Sequence, residues 1–237
     1  MKRLLHLLHR HRDIAIALVL APLILLLFDA TPLDGLLIAP YYDAATHAFP
    51  LRDDPFIQNV MHSGTKLVVI GIAIAVFGAF LLTFILPHWA QHRRRLLWLG
   101  AGLAGSSLMV TLLKQCSALH CPWDLAAYGG YAPFHGLLDR FPAGTAAGRC
   151  FPGGHASGGF ALMAFYFAWR DTHRGIACVF LVAGLMAGMV MGWAQMMRGA
   201  HFLSHNVWSA WVVWTFLSVQ YTVSPPLAAT PRIDARS

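Results

Sequence analysis

The sequence predicts an all-α, polytopic membrane protein with six transmembrane helices in one bundle. Hydrophobic residues make up 57% of the chain and charged residues 11%, whereas soluble domains average roughly 25% charged residues. The mean hydropathy is +0.58. Six apolar runs approach the ~20 residues that a membrane-spanning helix needs. They cover residues 14–28, 67–86, 96–113, 155–169, 176–196 and 202–223.

Helix breakers and polar residues mark where these runs begin and end. Pro87 ends the second run, Lys114 closes the third, and His155 opens the fourth. Residues 225–226 are both proline and stop the sixth run. The fifth run carries small residues four apart, a spacing that lets another helix approach closely. These residues are Gly184, Gly188 and Gly192.

The basic residues predict the orientation of the bundle. Eleven of the 17 Lys and Arg residues fall on one side of the predicted membrane and six on the other, which places both termini in the cytoplasm. The eleven are Lys2, Arg3, Arg10, Arg12, Arg93, Arg94, Arg95, Arg170, Arg174, Arg232 and Arg236. They lie in short clusters at the ends of apolar runs, so the net charge of +7 does not predict a nucleic-acid partner. The prediction is a multi-pass protein of the cell (inner) membrane.

Composition also excludes several kinds of chemistry. All ten acidic residues are Asp, so a metalloprotease HExxH motif and the closing Glu of an EF-hand loop are both absent. The thirteen His residues invite a haem or metal protein as an alternative. Haem-binding bundles need His pairs inside facing helices, and nearly all the His residues here lie at helix ends or in loops.

Two outer segments concentrate the chemically active side chains at one membrane face, where ionisable groups are costly and usually functional. The first is the loop between the third and fourth runs, and the second is the turn between the fifth and sixth. Gly153 and Gly154 precede a helix start, whose free N–H groups attract anions. Two cations and two imidazoles accompany it, a combination that suits a phosphate group. These four are Lys114, His155, Arg198 and His201.

These segments resemble the three motifs of the type 2 phosphatidic acid phosphatase superfamily, the membrane lipid phosphate phosphatases. The family pattern is K-x6-R-P, then P-S-G-H, then S-R-x5-H-x3-D. Lys114 is followed after six residues by Cys121-Pro122, and the second motif reads PGGH at residues 152–155. The third motif aligns on GAHFLSH at residues 199–205. The resemblance covers roughly residues 60–224 of a single membrane domain, with a basic segment at 1–13 and a cytoplasmic tail at 225–237.

Four positions depart from the family pattern. Cys121 replaces the Arg of the first motif, and Gly153 replaces the Ser that normally contacts phosphate. Gln195 stands where the Arg of the third motif belongs, and His205 replaces the Asp that orients the nucleophile. Arg198 lies about one helical turn after Gln195 and could supply the lost guanidinium.

The resemblance implies a two-step reaction with no metal and no cofactor. His201 would attack phosphorus, and His155 would protonate the leaving oxygen and then activate water. The side chains of Lys114 and Arg198 and the backbone amides around Gly153 and Gly154 would bind the phosphate oxygens. His201 needs a partner on its other ring nitrogen. The candidates are His205, Asp124 and Asp54.

The predicted function is hydrolysis of a lipid phosphate or lipid pyrophosphate at the outer membrane face, with membrane lipids as partners. A lipid-to-lipid phosphotransferase and a non-catalytic lipid-phosphate-binding or transport protein on the same fold are the alternatives. The resemblance also places the first two motifs around one phosphate. A Cys121–Cys150 disulfide is therefore one hypothesis, and free thiols or a bridge to Cys116 are the alternatives.

Overall fold

A computed structural model describes residues 2–141, 144 and 146–227, with side chains from residue 11 onward. This part of the chain is helical, with no β-strand. Residues 228–237 of the predicted cytoplasmic tail lie outside the described residues. The helices are α1 Lys2–Ala30, α2 Leu33–Ile38, α3 Thr65–Ile85, α4 Arg93–Gln115, α5 Gly154–Ala161, α6 Met163–Trp169, α7 Arg174–Met197 and α8 Leu203–Val223. A π-helical segment, Ile57–Gly64, leads directly into α3.

Within the described residues, four helical stretches are long and apolar enough to cross a membrane. They are His11–Ala30, Ile57–Ile85, Pro87–Gln115 and Arg174–Met197. The predicted fourth span is divided into α5 and α6, which have only eight and seven residues. The predicted sixth span, α8, has 21 residues but includes His, Asn, Ser and Gln. The six-span arrangement and the position of the termini therefore stay predictions.

Helices α5 and α6 form the centre of the bundle. Phe160 and Phe167 are fully buried in the main hydrophobic cluster, together with Met163. Leu217 of α8 packs into the same cluster. Because neighbouring helices cover these two short helices, they do not need the uniformly apolar surface of a lipid-facing span. Their short length separates them from the four long apolar stretches.

The two ends of the bundle carry different chemistry. At one end lie the carboxyl end of α4, the start of α5 and the turn between α7 and α8. At the other end, Arg94 Nε donates to Pro225 O at 3.1 Å. There Arg170, which follows α6, also forms a buried ion pair with Asp13 of α1. The residues singled out for phosphate chemistry are thus separated from the basic clusters that predict the cytoplasmic side.

The loop between α4 and α5 is fastened to the α7–α8 turn. The backbone N–H of Trp123 donates to Gly199 O at 2.9 Å. Residues 117–119 accept backbone hydrogen bonds from residues 148–150. The segment before α3 joins the same end, since Ile38 and Phe49 form a second buried cluster with the α4–α5 loop. Residues 33–64 therefore pack against the elements that carry the candidate site.

Candidate active site

Each of the four predicted functional side chains lies at the end of a different structural element. Lys114 is in the last turn of α4, and His155 is the second residue of α5. Arg198 caps the carboxyl end of α7, and His201 lies in the turn before α8. These positions bring residues that are far apart in sequence to one end of the bundle.

A glycine in the left-handed conformation shapes the α7–α8 turn. Gly199 has φ +73°, and its N–H donates to Met196 O at 2.8 Å. The next N–H, of Ala200, donates to Gln195 O at 2.9 Å. This pair of bonds ends α7 in the manner of a Schellman motif. The chain then reverses, and His201 follows directly.

Helix α8 receives its amino-terminal cap from another helix. The N–H of Ser204 donates to the Asp34 carboxylate of α2 at 2.9 Å. Burial raises the pKa of Asp34, and the hydrogen bonds from the start of α8 only partly offset this effect. Asp34 thereby ties the segment before α3 to the turn that carries His201.

His201 is buried and neutral. Its side chain is 4% exposed. Burial, and after it the charges of the neighbouring imidazoles and Lys114, holds the pKa of His201 well below its usual value. A neutral imidazole has one nitrogen lone pair free for attack or for coordination.

His205 is the group that contacts the second ring nitrogen of His201. The two Nδ1 atoms are 3.3 Å apart, one helical turn along the chain. Of the two rival carboxylates, Asp54 instead accepts a hydrogen bond from the N–H of Ile57. Asp124 contributes its backbone carbonyl to Tyr131 and Ala132. Of the three candidates, His205 is therefore the one that contacts the His201 ring.

His155 is held by residues that sequence reasoning missed. Its Nε2 lies 3.2 Å from Met61 O and 3.2 Å from Thr65 Oγ1. Thr65 Oγ1 itself donates to Met61 O at 2.6 Å. Since a carbonyl can only accept, Nε2 of His155 carries the hydrogen, and Nδ1 is the unprotonated atom of the neutral ring. The imidazole of His62 stacks on that of His155 with centroids 4.3 Å apart.

A weak sequence signal for this contact exists. Residues 62–66 read HSGTK, a polar stretch at the start of an otherwise apolar run. Such a stretch is also typical of a membrane boundary, which is how it is most simply interpreted. The sequence separation of 90 residues between Thr65 and His155 hides the pairing.

The two predicted phosphate-binding cations lie near enough to act on the imidazoles electrostatically. Lys114 acts electrostatically on His201, and Arg198 acts on His155. The Lys114 Nζ atom would lie 3.8 Å from a Cβ built on Gly154. Arg198 Nε donates to Arg52 O at 2.8 Å.

Arg198 also contacts the residue that replaces the family arginine. Its Nη1 lies 3.4 Å from Gln195 Oε1. Gln195 is 3% exposed, so the amide fills the position within α7 and the guanidinium projects from the helix end. The phosphate-binding role of Arg198 stays a prediction.

The structure contradicts the predicted role of the Gly153 amide in phosphate binding. Its N–H donates to His205 O at 2.9 Å, so this group is already engaged and does not face a phosphate. Helix α5 begins at Gly154. The amides of Gly154 and His155 are the first N–H groups of α5 and form the anion-attracting helix start.

A disulfide lies directly beside the site. Cys121 and Cys150 are bonded, with Cα atoms 5.2 Å apart. Cys116 is a free cysteine, and Cys150 is fully buried. The Cys150 Sγ atom is 3.4 Å from His201 Nδ1. The bridge therefore ties the loop of the first motif to that of the second and touches the third.

Two largely apolar cavities adjoin the site on the His205 side. One has a volume of about 410 Å³ and is bordered by Asp34, Tyr128 and His205. The other has a volume of about 360 Å³ and is bordered by Leu113 and Trp211. Both cavities share four lining residues. These are Leu119, Leu137, Phe151 and Trp208.

Comparison with known protein families matches residues 95–227 to the PAP2 superfamily. The chain belongs to the PAP2 superfamily. No curated protein and no solved structure matches it significantly. PAP2 membership indicates a phosphatase acting on phosphate esters, and the four apolar helical stretches indicate a membrane protein. The matched range includes Lys114, His155, Arg198 and His201, whereas the PAP2 match leaves out Thr65.

Proposed function

We propose that this PAP2 protein is an integral membrane phosphatase that hydrolyses a lipid phosphate or lipid diphosphate. The reaction passes through a phosphohistidine on His201 at the outer membrane face. One observation carries the proposal. Two imidazoles and two cations from four separate elements meet beside a helix start, and one of the imidazoles is buried, neutral and oriented by its neighbour.

His201 is the nucleophile in this mechanism. Its Nδ1–H donates to Nδ1 of His205, which leaves the lone pair of Nε2 free. Nε2 attacks phosphorus, a P–N bond forms, and the P–O bond to the lipid breaks. His205 takes over the positioning role that the family gives to an Asp. Because His205 is neutral, it orients the ring without adding negative charge next to the incoming phosphate.

His155 transfers the proton in both steps. Its Nε2–H is anchored by Met61 O and Thr65 Oγ1, so Nδ1 is the atom that gives and takes the transferable proton. The protonated ring donates to the departing lipid oxygen. It then removes a proton from the water that attacks the phosphohistidine and releases inorganic phosphate.

The cations and the helix start stabilise the charge of the transferring phosphoryl group. Phosphoryl transfer depends mainly on such positioning and charge stabilisation. Lys114 and Arg198 supply two positive charges, and the first amides of α5 supply hydrogen-bond donors. The departures at Cys121 and Gln195 remove two arginines from the family pattern. Arg198 restores one of those charges.

The apolar cavities support a lipid over a soluble ester. Their combined lining of Leu, Phe and Trp side chains suits an acyl or prenyl chain. The first of these cavities borders His205, which contacts the nucleophile.

Phosphate release from a panel of lipids tests the proposal. The panel contains phosphatidic acid, phosphatidylglycerophosphate, undecaprenyl pyrophosphate and lipid A phosphate. We expect His201→Ala and His155→Ala each to lower the rate at least ~100-fold, in line with the usual contribution of nucleophilic and acid–base groups. The matched control is His88→Ala, an exposed histidine outside the site, which should keep the wild-type rate.

Two outcomes contradict the proposal. Wild-type rates in both site variants would remove the histidine mechanism. A wild-type protein that binds these lipids but releases no phosphate would instead favour the non-catalytic binding protein.

A further inference from the structure

One cysteine sulfur and two imidazoles form a cluster in the buried site, and the proposed reaction uses only the imidazoles. The cluster consists of Cys150, His201 and His205, whose potential ligand atoms all lie within 4.8 Å of one another. All three side chains are buried. In the disulfide-bonded protein the Cys150 sulfur is not a thiolate, so the cluster is complete as a ligand set only after the Cys121–Cys150 bond is opened.

Two of the three spacings in this cluster match those on a tetrahedral metal ion, and the third, between Cys150 Sγ and His205, lies within 4.8 Å. Two imidazole nitrogens on a tetrahedral zinc ion lie about 3.3 Å apart, and a nitrogen and a thiolate sulfur lie about 3.6 Å apart. The Nδ1 atoms of His201 and His205 are 3.3 Å apart. Cys150 Sγ is 3.4 Å from His201 Nδ1. Zinc is the divalent ion that combines thiolate with imidazole ligands most readily.

We propose that the reduced protein binds one Zn²⁺ through Cys150 Sγ and the Nδ1 atoms of His201 and His205, with water in the fourth position. A thiol or phosphine reductant supplies two electrons, and the Cys121 and Cys150 sulfurs each take up one proton. Zinc then displaces the proton of the Cys150 thiol. The donor set contains one thiolate and two neutral imidazoles, which leaves the site with one positive charge.

The backbone that carries the ligand atoms keeps its place when the disulfide opens, because other bonds hold it. The sulfur of the half-buried Cys121 then moves away from that of the fully buried Cys150. The N–H of Cys150 donates to Leu119 O at 3.0 Å, and the neighbouring Arg149 N–H donates to Ser117 O at 3.0 Å. His201 and His205 are fixed by the end of α7 and the start of α8. Cys150 is completely shielded from solvent, so its side chain has little freedom to turn away.

If the proposed function holds, zinc binding prevents the proposed hydrolysis. With zinc on Nδ1, the ring proton of His201 must sit on Nε2, which removes the lone pair that attacks phosphorus. The reduced, zinc-bound protein is therefore inactive. A disulfide oxidant that takes up two electrons re-forms the Cys121–Cys150 bond, with loss of the Cys121 thiol proton and release of Zn²⁺, and this frees the nucleophile.

The sharpest test uses two variants that each retain one thiol of the pair. Cys121→Ser leaves the Cys150 thiol free without any reductant, and Cys150→Ser leaves only Cys121. Both are made with Cys116→Ser and Cys178→Ser, which removes the remaining exposed cysteines. After equilibrium dialysis against Zn²⁺, we expect one more zinc per chain in the Cys121→Ser variant. Co²⁺ bound to that variant should show thiolate-to-cobalt charge-transfer absorption, and Cys150→Ser should not.

The competing outcomes are separable. Equal zinc content and no thiolate–cobalt band in the two variants would overturn the site. If Cys121→Ser does not fold, the same comparison is made between phosphine-reduced protein with both cysteines and phosphine-reduced Cys150→Ser. Adding His205→Ala to Cys121→Ser should weaken zinc binding at least tenfold, and unchanged affinity would remove His205 from the ligand set. Metal content is measured directly, so a failure of the phosphatase proposal leaves this result unaffected.

Discussion

Gly153 and Asn206 share one small space beside the nucleophile. A Cβ on Gly153 would lie 2.6 Å from Asn206 Oδ1. On its other side, the Asn206 amide is enclosed by Gly192, where an added Cβ would lie 2.6 Å from its Cγ. Asn206 is fully buried. The loss of the family Ser at position 153 is therefore matched by a side chain from α8 that fills the volume next to the backbone.

Placing the family Ser at position 153 should by itself destabilise the fold. We expect Gly153→Ser to lower the free energy of unfolding by about 1–3 kcal/mol, the usual cost of overpacking. Adding Asn206→Ala should relieve the collision, so the double variant is more stable than the sum of the single changes predicts. Thermal unfolding in detergent of the wild type, both single variants and the double variant measures this coupling. Strictly additive effects would show that the two residues do not compete for space.

The sequence could predict the site residues that lie inside motifs, and not those that reach them from elsewhere. Lys114, His155 and His201 stand out because charged and imidazole groups are rare beside a membrane core. Thr65 and Met61 have no such mark. Met61 contributes a backbone carbonyl, which any residue could supply. The Gly153 amide illustrates the converse limit, since its acceptor is a carbonyl 52 residues away that no spacing rule indicates.

At the scale of elements, the contact between α5 and α7 depends on glycine. Gly188 faces Phe160, and a Cβ on Gly159 would lie 2.5 Å from the backbone N of Gly188. The four-residue spacing in α7 predicts this close approach, although it does not identify the partner helix. Gly184 meets the backbone of Met163 in the same way. The small residues of α7 thus accommodate the two short central helices that begin at the active site.

A single methyl group should disturb this contact. We expect Gly159→Ala to lower the free energy of unfolding by about 1–3 kcal/mol, because backbone atoms of α7 cannot move aside as a side chain could. Gly71→Ala in α3 is the matched control, since a Cβ there meets nothing within 4 Å. That control should be neutral or gain up to about 1 kcal/mol from helix propensity. Equal thermal unfolding midpoints for the two variants would contradict the proposed role of the glycine contact.

Hydropathy predicts helices at the surface of the bundle better than helices that are enclosed by other helices. Each of the four long stretches contains a strongly apolar window that is mostly exposed on the surface of the bundle. The region 155–169 is enclosed by other helices, and it breaks at Leu162 between α5 and α6. Its fold depends on packing partners rather than on lipid, so no continuous long helix is required. The predicted span is therefore real as a helical region, while its interruption follows from tertiary contacts.

At the scale of the whole molecule, the chain outside the family match is fastened to the family core at both ends. At the active-site end, Asp34 caps α8, and Thr65 forms a hydrogen bond with His155. At the opposite end, the Trp211 indole N–H donates to Ala17 O of α1 at 2.8 Å. Residues 95–227 alone therefore lack groups that hold the proposed acid–base histidine. The proposed active unit is the longer chain.

The ion pair between Asp13 and Arg170 is one of these connections. Asp13 is 3% exposed. Burial would lower the pKa of Arg170, but the hydrogen bond and charge of Asp13 more than offset this, so its pKa is raised. Arg170 also lies over the ring of Tyr221, 3.9 Å from its centroid. The guanidinium thus joins α1, the end of α6 and α8 at the end of the bundle opposite the site.

Removing the carboxylate should leave a buried positive charge without its partner. We expect Asp13→Asn to lower the free energy of unfolding by about 3–5 kcal/mol, the usual effect of breaking a buried pair. Asp29→Asn is the matched control, because Asp29 is an exposed carboxylate on the same helix and should change stability by less than about 0.5 kcal/mol. Unfolding in detergent, followed by tryptophan fluorescence, compares the two variants. Since Trp211 and Trp214 donate to α1, their fluorescence reports whether α1 separates from α8, and equal midpoints would show that the ion pair does not hold them together.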